Sequence, residues 1–291
     1  MTKFTFLIFL CSQLLFAGTD STSSVNYYAV GGITIATGVW FGISQSKQVD
    51  QYWHDPAPFH FNFKDDWKYA HGADKFGHAF FANTVATVYT EALKLSGVDS
   101  VTSAWYAGGI ALTHQTIIEI RDGLSTGKNG AYEPYLGFSW GDMTANTIGT
   151  SLPILQVYYP FTQNFRYKIS YNGSAKYKSG EYYSKISDDY ESTYHWLSFN
   201  MYNVLPKHLQ TYWTPFLNIA VGHSVKDIVD RPANYWGNGY HELWLSLDYN
   251  FEALPGDAAW MRSIKKLLNI YKLPAPCVRI LPSVVWYGFR I

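Results

Sequence analysis

Seven residues in the first half of the chain could do chemistry in otherwise apolar surroundings. Asp74, Lys75 and His78 sit in the run Asp74-Lys75-Phe76-Gly77-His78 and, with His71, share one face if the segment is helical. Glu119 and Asp122 follow a long apolar stretch, next to Arg121 and downstream of His114 and Gln115. Asp142 and Asn146 stand one helical turn apart in a third segment. An ionisable group in an apolar helix is costly unless it is paired, hydrogen-bonded or wet. Several of them on three segments should therefore converge on one polar pocket.

Two chemistries fit such a pocket. The oxygen and imidazole groups of Asp74, His78, Glu119 and Asp142 suit a divalent metal, the one candidate cofactor, or, with Asp122, acid–base work. Alternatively, the same groups form a buried network in which Lys75 and Arg121 neutralise the acids and lock the helix register. The spacings match no metalloprotease or di-iron signature, so the residue types leave both open. Other polar residues carry less. His54 and His60 flank prolines in a loop, and His195, His223 and His241 have no carboxylate at a repeating interval. Gly222-His223-Ser224 lacks the second glycine of a nucleophile elbow. Gly127-Lys128 lacks the spacing of a phosphate-binding loop.

The elements that must position these residues divide by periodicity. Apolar helical segments are expected over 26–44, 74–95, 103–121 and 139–157. The first, free of charge, is read as buried, membrane-lying or a marginal span. The second should bury Phe76, Phe80, Val85 and Val88. In the last, Ser139 is the expected N-cap, and Pro153 should kink or end the helix. An aromatic loop over 51–67 joins the first two. From about residue 160 the pattern alternates in twos, predicting strands at 165–171, 216–221, 242–251 and 278–290, with turns at Asn172-Gly173, Asn238-Gly239 and Pro255-Gly256. A helix near 257–271 should bury Trp260, Ile264, Leu267 and Leu268. The expected fold is α+β: an N-terminal apolar helical bundle over 25–158, then an antiparallel β-rich region over 160–291. Too few strands are visible for a complete transmembrane barrel.

Composition points to the setting. Of 291 residues, 15% are charged, against about 25% in an average soluble protein. Aromatics make up 18%, with 24 Tyr and 11 Trp, residues that gather where apolar and wet surroundings meet. Membrane lipid or envelope components are the expected partners. A formal net charge of +0 gives no field to recruit nucleic acid. Lys3, the apolar run over 4–16 and Ala17 form a secretory signal covering 1–18. Removing it leaves Cys277 as the sole cysteine, so no intrachain disulfide is expected.

Three ordered blocks also carry a resemblance: Asp74-Lys75-Phe76-Gly77-His78, then Ile118-Glu119-Ile120-Arg121-Asp122-Gly123, then Gly137-Phe138-Ser139-Trp140-Gly141-Asp142 with Asn146 and Gly149. They resemble the YfiM-like family of predicted periplasmic lipoproteins of unknown function, over about residues 70–155. A more distant similarity runs to VanZ-like membrane proteins. The resemblance implies a bacterial envelope location, periplasmic or outer-membrane, and a helical domain, but no reaction. The sequence departs from the lipoprotein pattern at Cys11, because Ile8-Phe9-Leu10 lacks the small residues of a lipobox. The functional expectation is a membrane-associated envelope protein of structural or interaction type. The rival expectation is a hydrolase or transferase acting on a lipid or phosphate-bearing envelope precursor through the helical pocket.

Overall fold

The structure, a computed structural model, describes residues 24–53, 55–63, 66–126, 136–179, 189–228 and 239–290. The signal, Cys11, His54, Gly127-Lys128 and Asn238 lie outside these residues. Four long helices come first: α1 (Tyr27–Gln51), α2 (Ala73–Leu95), α3 (Ser100–Gly123) and α4 (Trp140–Tyr158). Their starts follow capping chemistry. Asn26, Asp99 and Ser139 each accept a hydrogen bond from the backbone amide three residues on. Helix α2 ends at a turn where Gly97 takes φ 85°, a conformation glycine adopts without strain.

Helices α2, α3 and α4 form the packed trio. Their contact faces are built from small residues, among them Ala82, Ala86, Ala104, Ala107, Ala111, Ala145 and Gly149. This corrects the expected face of α2 in part: Phe80 is buried as expected, but Phe76 is exposed, and Ala82, Asn83, Ala86, Tyr89, Thr90 and Leu93 complete the buried face. Side chains of one or no carbons let helix axes approach closely, so the bulky residues turn outward. Pro153 lies inside α4, which continues to Tyr158. Helix α1 runs about two turns beyond its expected end and rests on the trio by one face. Trp40 stacks on the buried His114 with ring centroids 4.3 Å apart, and Ser44 Oγ lies 3.1 Å from His114 Nε2. Much of the rest of α1 is exposed. No helix among the described residues is long and apolar enough to cross a membrane, which removes the span considered for 26–44.

The second half is a six-stranded antiparallel sheet in the order β1 (Phe165–Tyr171), β2 (Thr193–Phe199), β3 (Leu217–Lys226), β4 (Tyr240–Tyr249), β5 (Ala275–Leu281) and β6 (Val285–Arg290). The fold is α+β. The expected strand at 278–290 is two strands, and β2 was not anticipated. A last helix, α5 (Ala259–Leu268), precedes β5, and the chain just after it bridges β1 in parallel at Ile169 and Tyr271.

The sheet buries its polar face. Leu243, Leu245 and Leu247 do share a side of β4, but the buried residues are Glu242, Trp244, Ser246 and Asp248. Inside, Lys168 Nζ lies 2.7 Å from Asp248, Ser198 donates to Asp248, and Asn218 donates to Ser198. Arg279 pairs with Glu242 at 2.9 Å beside Ser224. Two tryptophans, Trp196 and Trp244, fill the space between these networks. Outside, Leu197, Val221 and Leu245 align across β2, β3 and β4 and are exposed. Helix α5 is inverted likewise. Ser263 and Lys265 are buried while Trp260 and Leu268 are exposed. Ser263 and Lys266 instead reach Glu91 of α2.

Candidate functional site

The site forms where the N-terminal ends of α2 and α4 meet the C-terminal end of α3. Ala73–Leu95 is one continuous helix, so Asp74 and His78 share a face one turn apart. Lys75 is the hub. Its ammonium lies 2.7 Å from Asp142 Oδ1, 2.9 Å from Asp66 Oδ1 and 3.4 Å from Asp74 Oδ2. Ser139 caps α4 through Asp142 N, and its hydroxyl also donates to Asp66 Oδ1 at 2.6 Å. The Gly141 amide donates to Asp66 Oδ2 at 3.0 Å. A Cβ on residue 141 would strike Asp66 Oδ1 and Lys75 Cε, so only glycine fits there.

His78 occupies the opposite part of the cluster. Gln115 Nε2 donates to Asn146 Oδ1 at 2.8 Å, and His78 Nδ1 lies 3.2 Å from the same oxygen. A carboxamide oxygen only accepts, so Nδ1 carries a proton. Nε2 then points toward Asp74 Oδ1 at 3.7 Å and Asp142 Oδ1 at 3.8 Å. Glu119 stands on the Nδ1 side, with Oε1 3.7 Å away and Oε2 accepting from Ser139 N. Tyr190, from the second half, donates to Asp74 Oδ1 at 2.9 Å.

The electrostatics follow from five carboxyl groups facing two cations. Against the cost of burial, the charges of Asp142, Asp74 and Glu119 push His78 up to about 9. Burial also opposes the charged form of Lys75, but Asp74 and Asp142 hold its ammonium well above the ordinary lysine value. Asp74 stays below its usual range because the charges of His78 and Lys75 outweigh burial. Asp66 does likewise through the Ser139 hydroxyl and Lys75. Burial pushes Glu119 up to about 9 and Asp122 to about 7. Burial and the Asp74 charge push Asp142 to about 6.

All seven expected residues lie in or beside this cluster, with Asp122 at its margin accepting from Trp53 Nε1 at 2.5 Å. Arg121 does not join it. Its guanidinium sits over the Trp53 ring, 5.4 Å from the centroid, and leaves neutralisation to Lys75. His71 turns toward His241, and His114 serves α1 instead. His60 is tied to the carbonyl of Leu136 at 2.8 Å. Asp66 and Tyr190 are the participants that sequence reasoning missed. Both stand outside the long helices, where no periodicity marks them. Two cavities stand apart from the cluster. One, of about 450 Å³, lies between α1 and α3 and is lined by Thr37, Phe41, Trp105, Tyr106, Gly109 and Ile110. Another, of about 250 Å³, includes Ser174, Glu191, Tyr194, Lys226 and Arg290.

Comparison with known proteins gives one match. No curated protein and no solved structure matches the chain. Residues 62–158, about a third of the chain, match the model of a family described as predicted periplasmic lipoprotein (DUF2279). The matched stretch holds the whole cluster except Tyr190, and it agrees with an exported, envelope-associated protein of unknown activity.

Proposed function

We propose that this chain is an envelope protein of structural or interaction type that rests against a membrane through the outer surface of its helices. The observation that carries the reading is a helical surface without charge. Helix α1 has no ionisable acid or base side chain other than tyrosine before Lys47, α3 has none but the buried His114 before Glu119, and α4 has only the buried Asp142. On that surface Ile35, Val39 and Ile43 recur every fourth residue of α1, 71%, 56% and 53% exposed. Trp105 and Tyr106 of α3 and Ile148 of α4 are exposed as well. Exposed apolar surface on this scale is rare on soluble monomers and marks contact with lipid or protein. Trp105 and Tyr106 also line the apolar cavity between α1 and α3. In this reading the Lys75 cluster holds the helices in register, and the outer membrane's periplasmic face is the proposed location.

Flotation with phospholipid vesicles tests the proposal. The mature chain, freed of detergent, should float with vesicles, and the pair Ile35→Asp and Trp105→Asp should stay at the bottom of the gradient while keeping the native circular dichroism. A monodisperse wild-type monomer that ignores vesicles would overturn it.

A further inference from the structure

The Nε2 side of His78 is arranged for something other than a hydrogen bond. Its two carboxylate neighbours stand at 3.7 and 3.8 Å, beyond the range of 2.7–3.2 Å in which N–H···O bonds form. One ligand atom from each of Asp74, His78 and Asp142 lies within 4.8 Å of the others. Metal–nitrogen and metal–oxygen bonds of about 2.0–2.2 Å place neighbouring ligand atoms roughly 3.0–3.5 Å apart. The two edges at His78, 3.7 and 3.8 Å, therefore close around an ion with shifts of a few tenths of an ångström.

Other observations point to a cation as well. Glu119 Oε1, on a side chain 1% exposed, has no hydrogen bond and faces His78. Asp142 Oδ1 is paired with the Lys75 ammonium at 2.7 Å, so an ion would share that oxygen with it. The His78 ring is held as metal-bound imidazoles are held. Its Nδ1 proton is committed to Asn146, whose oxygen is fixed in turn by Gln115, so Nε2 is the nitrogen an ion would take, displacing the proton there. Lys75 meets Asp74 through Oδ2, and Oδ1, which accepts from the Tyr190 hydroxyl, lies on the His78 side. Finally, the side chains of Asp74 and His78 are 14% and 19% exposed, so an ion and its waters can reach the triangle.

We infer that Asp74, His78 and Asp142 bind one divalent transition-metal ion of the Zn²⁺ or Mn²⁺ type, through His78 Nε2 and one oxygen of each carboxylate. Such an ion would take the place of the His78 proton between Asp74 and Asp142, and bridge α2 to α4. Glu119, on the Nδ1 side, is outside the ligand set. The inference stands independently of membrane contact.

Calorimetric titration of the full chain in detergent with Zn²⁺ and with Mn²⁺ tests it. One ion per chain is expected. Affinity should fall at least about tenfold in Asp74→Asn and in His78→Gln. It should be unchanged in the double variant His223→Gln/His241→Gln, which removes the other close histidine pair, 3.0 Å apart. Should the single variants fail to fold, Mn²⁺ broadening of histidine ring signals in the wild type decides the matter, and His78 must be affected first. Absence of saturable binding to the wild type would overturn the inference. So would binding retained by folded Asp74→Asn and His78→Gln, or broadening centred on His223 and His241.

Discussion

At the residue scale, Lys75 decides whether the helical half holds together. Removing one partner from a buried ion cluster leaves its counter-charges uncompensated, at a cost of about 3–5 kcal/mol. Lys75→Met should lose that much in chemical denaturation, whereas Asp142→Asn should lose less, because Asp66 and Asp74 still hold the ammonium. The pH dependence has a definite sign. Above pH 6.5 an unfolded chain has released the protons of His78 and Glu119, while the folded chain keeps both up to about 9. Stability should therefore fall as pH rises from 6.5 to 9, by up to about 1.4 kcal/mol per pH unit for each group. Glu119→Gln should flatten that slope and be more stable than wild type at pH 8.5, as read from urea midpoints across pH. On the acid side, burial holds His114 and His223 neutral down to about 4, so protonating the unfolded chain below pH 6.5 costs stability there. Much of this cluster was legible, because Asp74, Lys75 and His78 sit at helical spacing in greasy sequence. Arg121 was misjudged because a guanidinium beside a tryptophan has a second option, stacking, that spacing does not reveal.

At the scale of elements, close approach sets the design. The Gly149 backbone of α4 lies against the Ala79 carbonyl of α2, and Asn83 donates to the Gly149 carbonyl at 3.2 Å. Gly149→Ala puts a methyl group into backbone, and should cost about 1–3 kcal/mol and lower the melting temperature. A second joint links the halves. Against burial, the ammonium groups of Lys266 and Lys94 hold Glu91 down to about 2. Glu91→Gln should loosen α5 from α2, seen as faster amide exchange in Ala259–Leu268 with the sheet unaffected. The starts of the long helices could be read from the sequence to within a few residues, but the end of α1, the strand β2 and the break between β5 and β6 could not. Which face turns inward could not, because alternation is symmetric, and only tertiary packing chose the polar side of β4 and α5.

At the scale of the molecule, charge-poor helices and an outward apolar sheet face describe one surface problem, that of covering exposed hydrocarbon. In the proposed reading, export supplies the setting in which a membrane does so. Envelope-purified protein should have an intact mass beginning near Gly18, and a diacylglycerol adduct at Cys11 would instead place it with the lipoproteins that residues 62–158 match.

The polar interior of the sheet has a calorimetric consequence. Lys168, Ser198, Asn218, Glu242, Ser246 and Asp248 meet water only when the strands separate, while Leu197, Val221 and Leu245 meet it already. Newly hydrated apolar surface raises heat capacity and newly hydrated polar surface lowers it. The melting endotherm should therefore show an increment below the usual 12–15 cal/mol/K per residue, giving a broad, shallow stability curve in scanning calorimetry.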